Sequence, residues 1–232
     1  MKKHIILLIT IFICFNLKSQ NLLPNKYGLK IGGNISSLAT NSVEGVKNPS
    51  NSLGFGFAGG FYMHIPINNY LSINPEILYS QKSSTLDYDY VYDYDINQRD
   101  YYSTKSTITL SYVEINPNFS YLAAYNLSLN VGPSIHYMIS SKYEYEQTLT
   151  NRLDETTATE VLEDGIFDEL SLDIGLNAGL SYYVNENFIL NTSIYSGFMK
   201  IGEVIRPIDI QNDEPSINLK LSNIRFSLSY LF

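Results

Sequence analysis

Eight stretches of this sequence alternate apolar and polar residues, and the connections between them are short and long in strict turn. The alternating stretches run over Lys26–Ile35, Leu53–Ile65, Tyr70–Lys82, Thr104–Tyr121, Leu127–Ile139, Leu172–Val184, Phe188–Ile201 and Ser216–Phe232. Pro66–Asn69, Leu122–Asn126 and Asn185–Asn187 are tight turns, whereas the intervening links are long, and all but the first of them are acidic. Period-two alternation places every second side chain on one face of an extended strand. A soluble up-and-down barrel has no reason to sort its loops by length, but a membrane barrel does, with short turns at the periplasmic rim and long loops outside. The pattern predicts an all-β fold, an eight-stranded antiparallel transmembrane β-barrel.

The distribution of glycine gives the orientation. In the first strand Tyr27, Leu29, Ile31 and Ile35 oppose Gly28, Lys30, Gly32 and Asn34. In the second, Leu53, Phe55, Phe57, Phe61, Met63 and Ile65 oppose Gly54, Gly56, Ala58, Gly60, Tyr62 and His64. Glycine on the polar face makes room inside a narrow barrel for bulk from the opposite wall. Polar-in and apolar-out is the membrane arrangement; a lipocalin-like soluble barrel would need the reverse. Two strands depart from simple alternation. The apolar face of the fourth runs through Ile108 and Leu110 and then shifts to Val113, Ile115 and Phe119, which predicts a bulge near Ser111–Tyr112. The eighth changes face near Ser222–Asn223.

At the N-terminus, Met1-Lys2-Lys3-His4 precedes an apolar run from Ile5 to Phe15 and a polar exit to Gln20. This is the pattern of a secretory signal peptide, residues 1–19 with cleavage after Ser19, and too short to span as a helix. Cys14, the single cysteine, lies inside it behind Ile11-Phe12-Ile13, which lack the small residues of a lipidation site. The predicted mature chain, 20–232, therefore has no thiol chemistry. Of 15 basic residues, Lys2, Lys3 and Lys18 leave with the signal peptide, so 12 face 23 acidic ones, a formal charge of −11. That balance excludes nucleic-acid binding.

The last strand sets Ile224, Phe226, Leu228, Tyr230 and Phe232 on one face against Arg225, Ser227 and Ser229. This resembles the terminal strand of bacterial outer-membrane barrels, and the resemblance implies that Phe226, Leu228, Tyr230 and Phe232 form the signal read by the barrel-assembly machinery of a Gram-negative cell. Tyr27-Gly-Leu-Lys-Ile-Gly-Gly-Asn34, Tyr112-Val-Glu-Ile-Asn-Pro117 and Gly132-Pro-Ser134 together resemble the PorT-type, porin-like outer-membrane β-barrel proteins. Asn116 and Asn118 stand where more apolar residues are expected after Glu114. The resemblance implies a barrel integral to the outer membrane, with a founding member tied to protein secretion.

Candidate sites are few. His64 and His136 both point inward, but His64 belongs near the periplasmic end and His136 near the outer one, without a serine elbow or an acid partner. A lipid A-modifying activity is thus a weak alternative, and the sequence points to no catalytic residue, metal ligand or cofactor. Asp87, Asp89, Asp93 and Asp95 alternate with tyrosines at period two, which can extend the hairpin into solvent, but they lack the glycine turn and closing bidentate acid of a calcium loop. The tyrosine-rich loops 86–103 and 142–170 are instead expected to meet lipopolysaccharide or other envelope proteins, since rigid aromatics add contact area at low entropic cost.

Counted from the short-turn side, Lys30, Glu76, Arg225 and Glu114 lie about four, six, seven and eight residues up their strands. The period-two pattern aims all four inward, so an ion-pair cluster is expected across the lumen. Tyr27, Tyr121, Tyr182, Phe188, Tyr230 and Phe232 are expected in a periplasmic aromatic belt, with Phe55, Tyr79, Tyr137 and Phe198 in an outer one. The functional expectation is a non-enzymatic barrel that displays acidic loops or assists envelope or secretion processes; the alternative is a small-solute channel.

Overall fold

The computed structural model describes residues 24–40, 46–95, 98–150, 155–163, 172–204 and 217–232. The predicted signal peptide lies outside the described residues. Among the described residues there are ten strands: β1 (Lys26–Thr40), β2 (Val46–Pro66), β3 (Leu71–Asp95), β4 (Gln98–Ala124), β5 (Leu127–Thr150), β6 (Glu155–Glu163), β7 (Leu172–Tyr183), β8 (Phe188–Gly197), β9 (Gly202–Val204) and β10 (Ile217–Leu231). Eight of them, in the order β1-β2-β3-β4-β5-β7-β8-β10, form an antiparallel ring that the β1–β10 pairing closes. Closure leaves no strand edge in the ring, which a hydrocarbon environment demands because unpaired backbone groups there have no water to bond. The other two strands sit above it, with β6 paired to β5 and β9 to β10.

The apolar residues face outward. Ile31, Phe55, Phe57, Phe61, Ile77, Ile115, Phe119, Ile194 and Phe226 are all more than half exposed or close to it, Phe55 reaching 77%. Lys30, Asn34, Glu76, Glu114, Arg225 and many serines are buried inside. A continuous apolar exterior around a polar interior is stable only where the surroundings are apolar. All ten expected belt aromatics point outward, the lower six beside the short turns. On β10, Phe226, Leu228, Tyr230 and Phe232 lie on this outer face; Tyr230 packs between Phe188 and Phe232, and the Phe232 amide donates to the Tyr27 carbonyl at 2.9 Å.

The ring is uneven in height. β7 and β8 span 12 and 10 residues, near the 9–11 that cross a bilayer when tilted. β3 spans 25, so it exceeds β7 by about 13 residues, or about 40 Å of extra rise at ~3.3 Å per residue. β4 and β5 rise with it, at 27 and 24 residues. Much of 86–103 and 142–170 is therefore paired strand: Asp87 faces Lys105 across β3–β4, where the period-two run Asp87–Asp95 extends the hairpin, and Glu144 faces Val161 across β5–β6, where a plain connection was expected. The Tyr/Asp and Tyr/Glu alternation there keeps period two.

Two expectations about the strands are corrected. The register shift at Ser111–Tyr112 is present, but the extra residue lies on β5, where Ser111 and Tyr112 pair with Ser140 and Met138 and Ile139 and Ser140 both face out. β4 keeps one inward face throughout, from Ser106 through Ile108, Leu110, Tyr112 and Glu114 to Ser120. β10 likewise never changes face, because Leu219 and Leu221 are inward along with Asn223 and Arg225. What changes along both strands is the polarity of the interior. Pro75 is tolerated in β3 opposite Pro117, at the cost of local gaps in the β2–β3 and β4–β5 ladders, since neither proline has an N–H to give.

Candidate functional site: the barrel lumen

From the short-turn end upward, the interior passes through four layers. Tyr62, Ile189 and Leu231, with Tyr183 against them, form a small apolar floor. Above it lies a network of amides and hydroxyls: Asn130 donates to Ser181, Ser181 to Asn191, Asn191 to Ser229, and Asn177 to Asn118, at 2.7–3.1 Å. His64 belongs to this lower region, with Nδ1 2.9 Å from Asn74 Oδ1 and its ring edge-on to Tyr183.

The third layer holds the charges. Lys30 pairs with Glu76, and the Lys30 ammonium lies 4.7 Å from the centroid of the Tyr62 ring. Arg225 Nη2 reaches both oxygens of Glu114, at 2.8 and 2.7 Å, while its Nε donates to Asn34 Oδ1 at 2.8 Å. The four residues expected in the cluster are thus arranged as two pairs, and the Asn116 amide links them, donating to Glu76 at 3.2 Å and to Glu114 at 3.5 Å. Asn118 donates a further bond to Glu76 at 3.0 Å. Asn116 and Asn118, out of place in an apolar strand, are inward residues whose amides satisfy a buried carboxylate.

Three participants were not anticipated from the sequence. Lys82 pairs with Glu114 at 2.7 Å and lies between the rings of Tyr112 and Tyr195, 5.0 and 5.1 Å from their centroids. It shares the inward face of Glu76 and Ser80 by the same period-two count, so the signal was present; the strand was ended at that residue. His136 stacks on Tyr195 with centroids 3.9 Å apart, its Nδ1 3.0 Å from Lys82 and its Nε2 2.7 Å from Ser134 Oγ. Lys82 can only donate, so Nδ1 accepts. Ser134 gives its own proton to Asn116, so Nε2 carries a hydrogen and donates to Ser134. The network therefore makes His136 a neutral ring with both nitrogens used, which suits packing rather than proton transfer. His64 and His136 occupy different layers. Asp173, the third, is fully buried and accepts a 2.7 Å bond from the Tyr195 hydroxyl. Gly197 makes this possible, since a Cβ there would stand 2.4 Å from the Asp173 carboxylate. Among the described residues, the buried charged side chains are Lys30, Lys82 and Arg225 against Glu76, Glu114 and Asp173, three of each sign. A balanced, hydrogen-bonded set is the condition for burying charge at tolerable cost.

The fourth layer is apolar. Leu38, Ile108, Leu110, Tyr112, Met138, Tyr143, Tyr195, Ile201, Leu219 and Leu221 pack into one buried cluster across the outer end of the barrel. Among the described residues, the cavity beside Lys30 and Glu76 measures about 20 Å³. Among the described residues, no group of three or more His, Asp or Glu is placed to hold a metal ion.

Solved structures similar to this chain include the attachment invasion locus protein Ail of Yersinia pestis, at 11% identity and a TM-score of 0.36, over 90% of this chain and all of that one. OprG of Pseudomonas aeruginosa is similar at 11% identity and 0.40, over 88% and 95% of the two chains. The outer membrane protease OmpT of Escherichia coli is similar at 10% and 0.34, over 93% and 99%. No curated protein matches the sequence. The family profile described as outer membrane protein beta-barrel domain matches residues 19–203, and the chain belongs to that family of outer-membrane β-barrels.

Proposed function

We propose that this protein is a closed, non-enzymatic outer-membrane barrel whose work is done by the hairpins that rise from its outer rim. The observation that carries the reading is the filled lumen, where an apolar plug lies over a neutralised charge cluster. A channel needs continuous water and an active site needs an accessible acid, base or nucleophile; this interior supports neither. The tall β3–β4 and β5–β6 hairpins, rich in tyrosine and acidic residues, supply a platform suited to binding other envelope proteins or, through bridging cations, lipopolysaccharide. A role in secretion or envelope assembly, as in the PorT-type proteins that its motifs resemble, fits such a platform.

The test is cross-linking in intact cells, comparing the full chain with a variant in which 86–103 is replaced by a two-residue turn. The variant keeps the outward face of β10 and is expected to assemble and show heat-modifiable migration, yet lose the cross-linked species. A Phe232→Asp variant, altered in the proposed assembly signal, serves as the assembly-deficient control. Cross-links unchanged in the shortened variant would count against the hairpin as the working surface.

A further inference from the structure

The small cavity in the lower lumen is lined by Lys30, Tyr62, Glu76 and a set of asparagines that includes Asn74, Asn118 and Asn177. Its volume, about 20 Å³, exceeds the ~10–15 Å³ that one water requires. Tyr62, in its wall, is 2% exposed, and its hydroxyl has no hydrogen-bond partner in the protein. An unsatisfied buried hydroxyl is costly, and nearly all such groups in folded proteins find a partner in protein or ordered water.

We propose that this cavity is a binding site for a single internal water, which takes the Tyr62 hydroxyl as one partner and the amide or carboxylate oxygens of the wall as others. The wall has the two to four polar groups such a water needs. An ion fits less well. Lys30 and Glu76 neutralise each other, so the wall has no surplus charge to attract one. The Lys30 ammonium, held over the Tyr62 ring, also repels a cation at that spot. The site lies where the polar network meets the apolar floor of Tyr62, Ile189 and Leu231, so the water joins the floor to the network.

Two measurements on the refolded full chain test this. A crystal structure at about 1.8 Å or better is expected to show ordered density within hydrogen-bond distance (about 3.2 Å) of the Tyr62 hydroxyl and of at least one wall oxygen. The same crystals grown in bromide or rubidium salts are expected to show no anomalous peak there; a peak would make the site ionic and overturn the proposal. The Tyr62→Phe variant keeps the ring and removes only the hydroxyl. It is expected to unfold about 2–4 °C lower, the shift associated with one lost hydrogen bond in a chain of this size. An unchanged or raised midpoint would mean that the hydroxyl has no partner to lose, and would overturn the proposal even if the crystals diffract poorly.

Discussion

Replacing Glu114 by alanine is expected to destabilise this barrel more than any other single change in its interior. Glu114 is the carboxylate that both Lys82 and Arg225 reach, and it is 1% exposed. Without it, Lys82 and Arg225 lose the carboxylate they both contact, and three buried cations face only two anions. Removing one partner of a buried ion pair costs about 3–5 kcal/mol, because what remains is an uncompensated charge rather than a lost contact. The expected result in heat-modifiability gels or urea titration is a large drop in the unfolding midpoint. The same reasoning sets a rescue. A quadruple variant, Lys82→Met, Glu114→Leu, Arg225→Met and Asp173→Asn, removes two buried charges of each sign and is expected to recover most of the loss, since well-packed neutral replacements of buried ion pairs are often neutral or better. A Glu114→Ala barrel as resistant as the parent would show that the cluster contributes nothing to stability.

The second large effect belongs to the plug. Leu110→Ala and Leu219→Ala each remove a side chain that is no more than 1% exposed, inside a cluster with tyrosines on several sides. Truncations of this kind cost about 2–5 kcal/mol, the spread depending on how far the surroundings collapse into the space. Both residues belong to one cluster, so the double variant is expected to depart from simple additivity. Neither single variant is expected to conduct ions. The charge layer lies beneath the plug and seals the lumen independently, so current is expected only when plug and cluster are both removed. Conductance from Leu110→Ala alone would mean that the charge layer is not a seal.

How far the interior could be read in advance depended on the residue. Period two settled β1, where Gly28, Lys30 and Asn34 point inward and Leu29 and Ile31 outward. It also aimed Lys30, Glu76, Glu114 and Arg225 into the lumen, because a charge on the glycine-bearing face has only one place to go. It misled at Ile108, Leu110, Leu219 and Leu221. In an inside-out protein an apolar residue satisfies either lipid or a buried plug, and hydrophobicity along one strand cannot separate the two. The inward leucines were therefore read as lipid-facing, and faces that never changed were read as changing. The connection 142–170 was underestimated for a related reason: polar residues at period two look like loop when strands are expected to be apolar on one side, although the same period in Asp87–Asp95 did point to an extended hairpin. The roles of His136, Asp173 and Tyr195 depend on contacts between β3, β4, β5, β7 and β8, which no local pattern encodes.

The account turns on a closed lumen, and recording from the purified full-length barrel in planar lipid bilayers tests that most directly. Four observations lead to the expectation: an apolar layer across the outer end, a cross-linked charge layer below it, an apolar floor, and a cavity of about 20 Å³. The predicted result is a flat baseline across applied voltages from protein shown to be folded by its heat-modifiable migration. Reproducible single-channel steps from that same material, scaling with salt and absent from denatured controls, would contradict it.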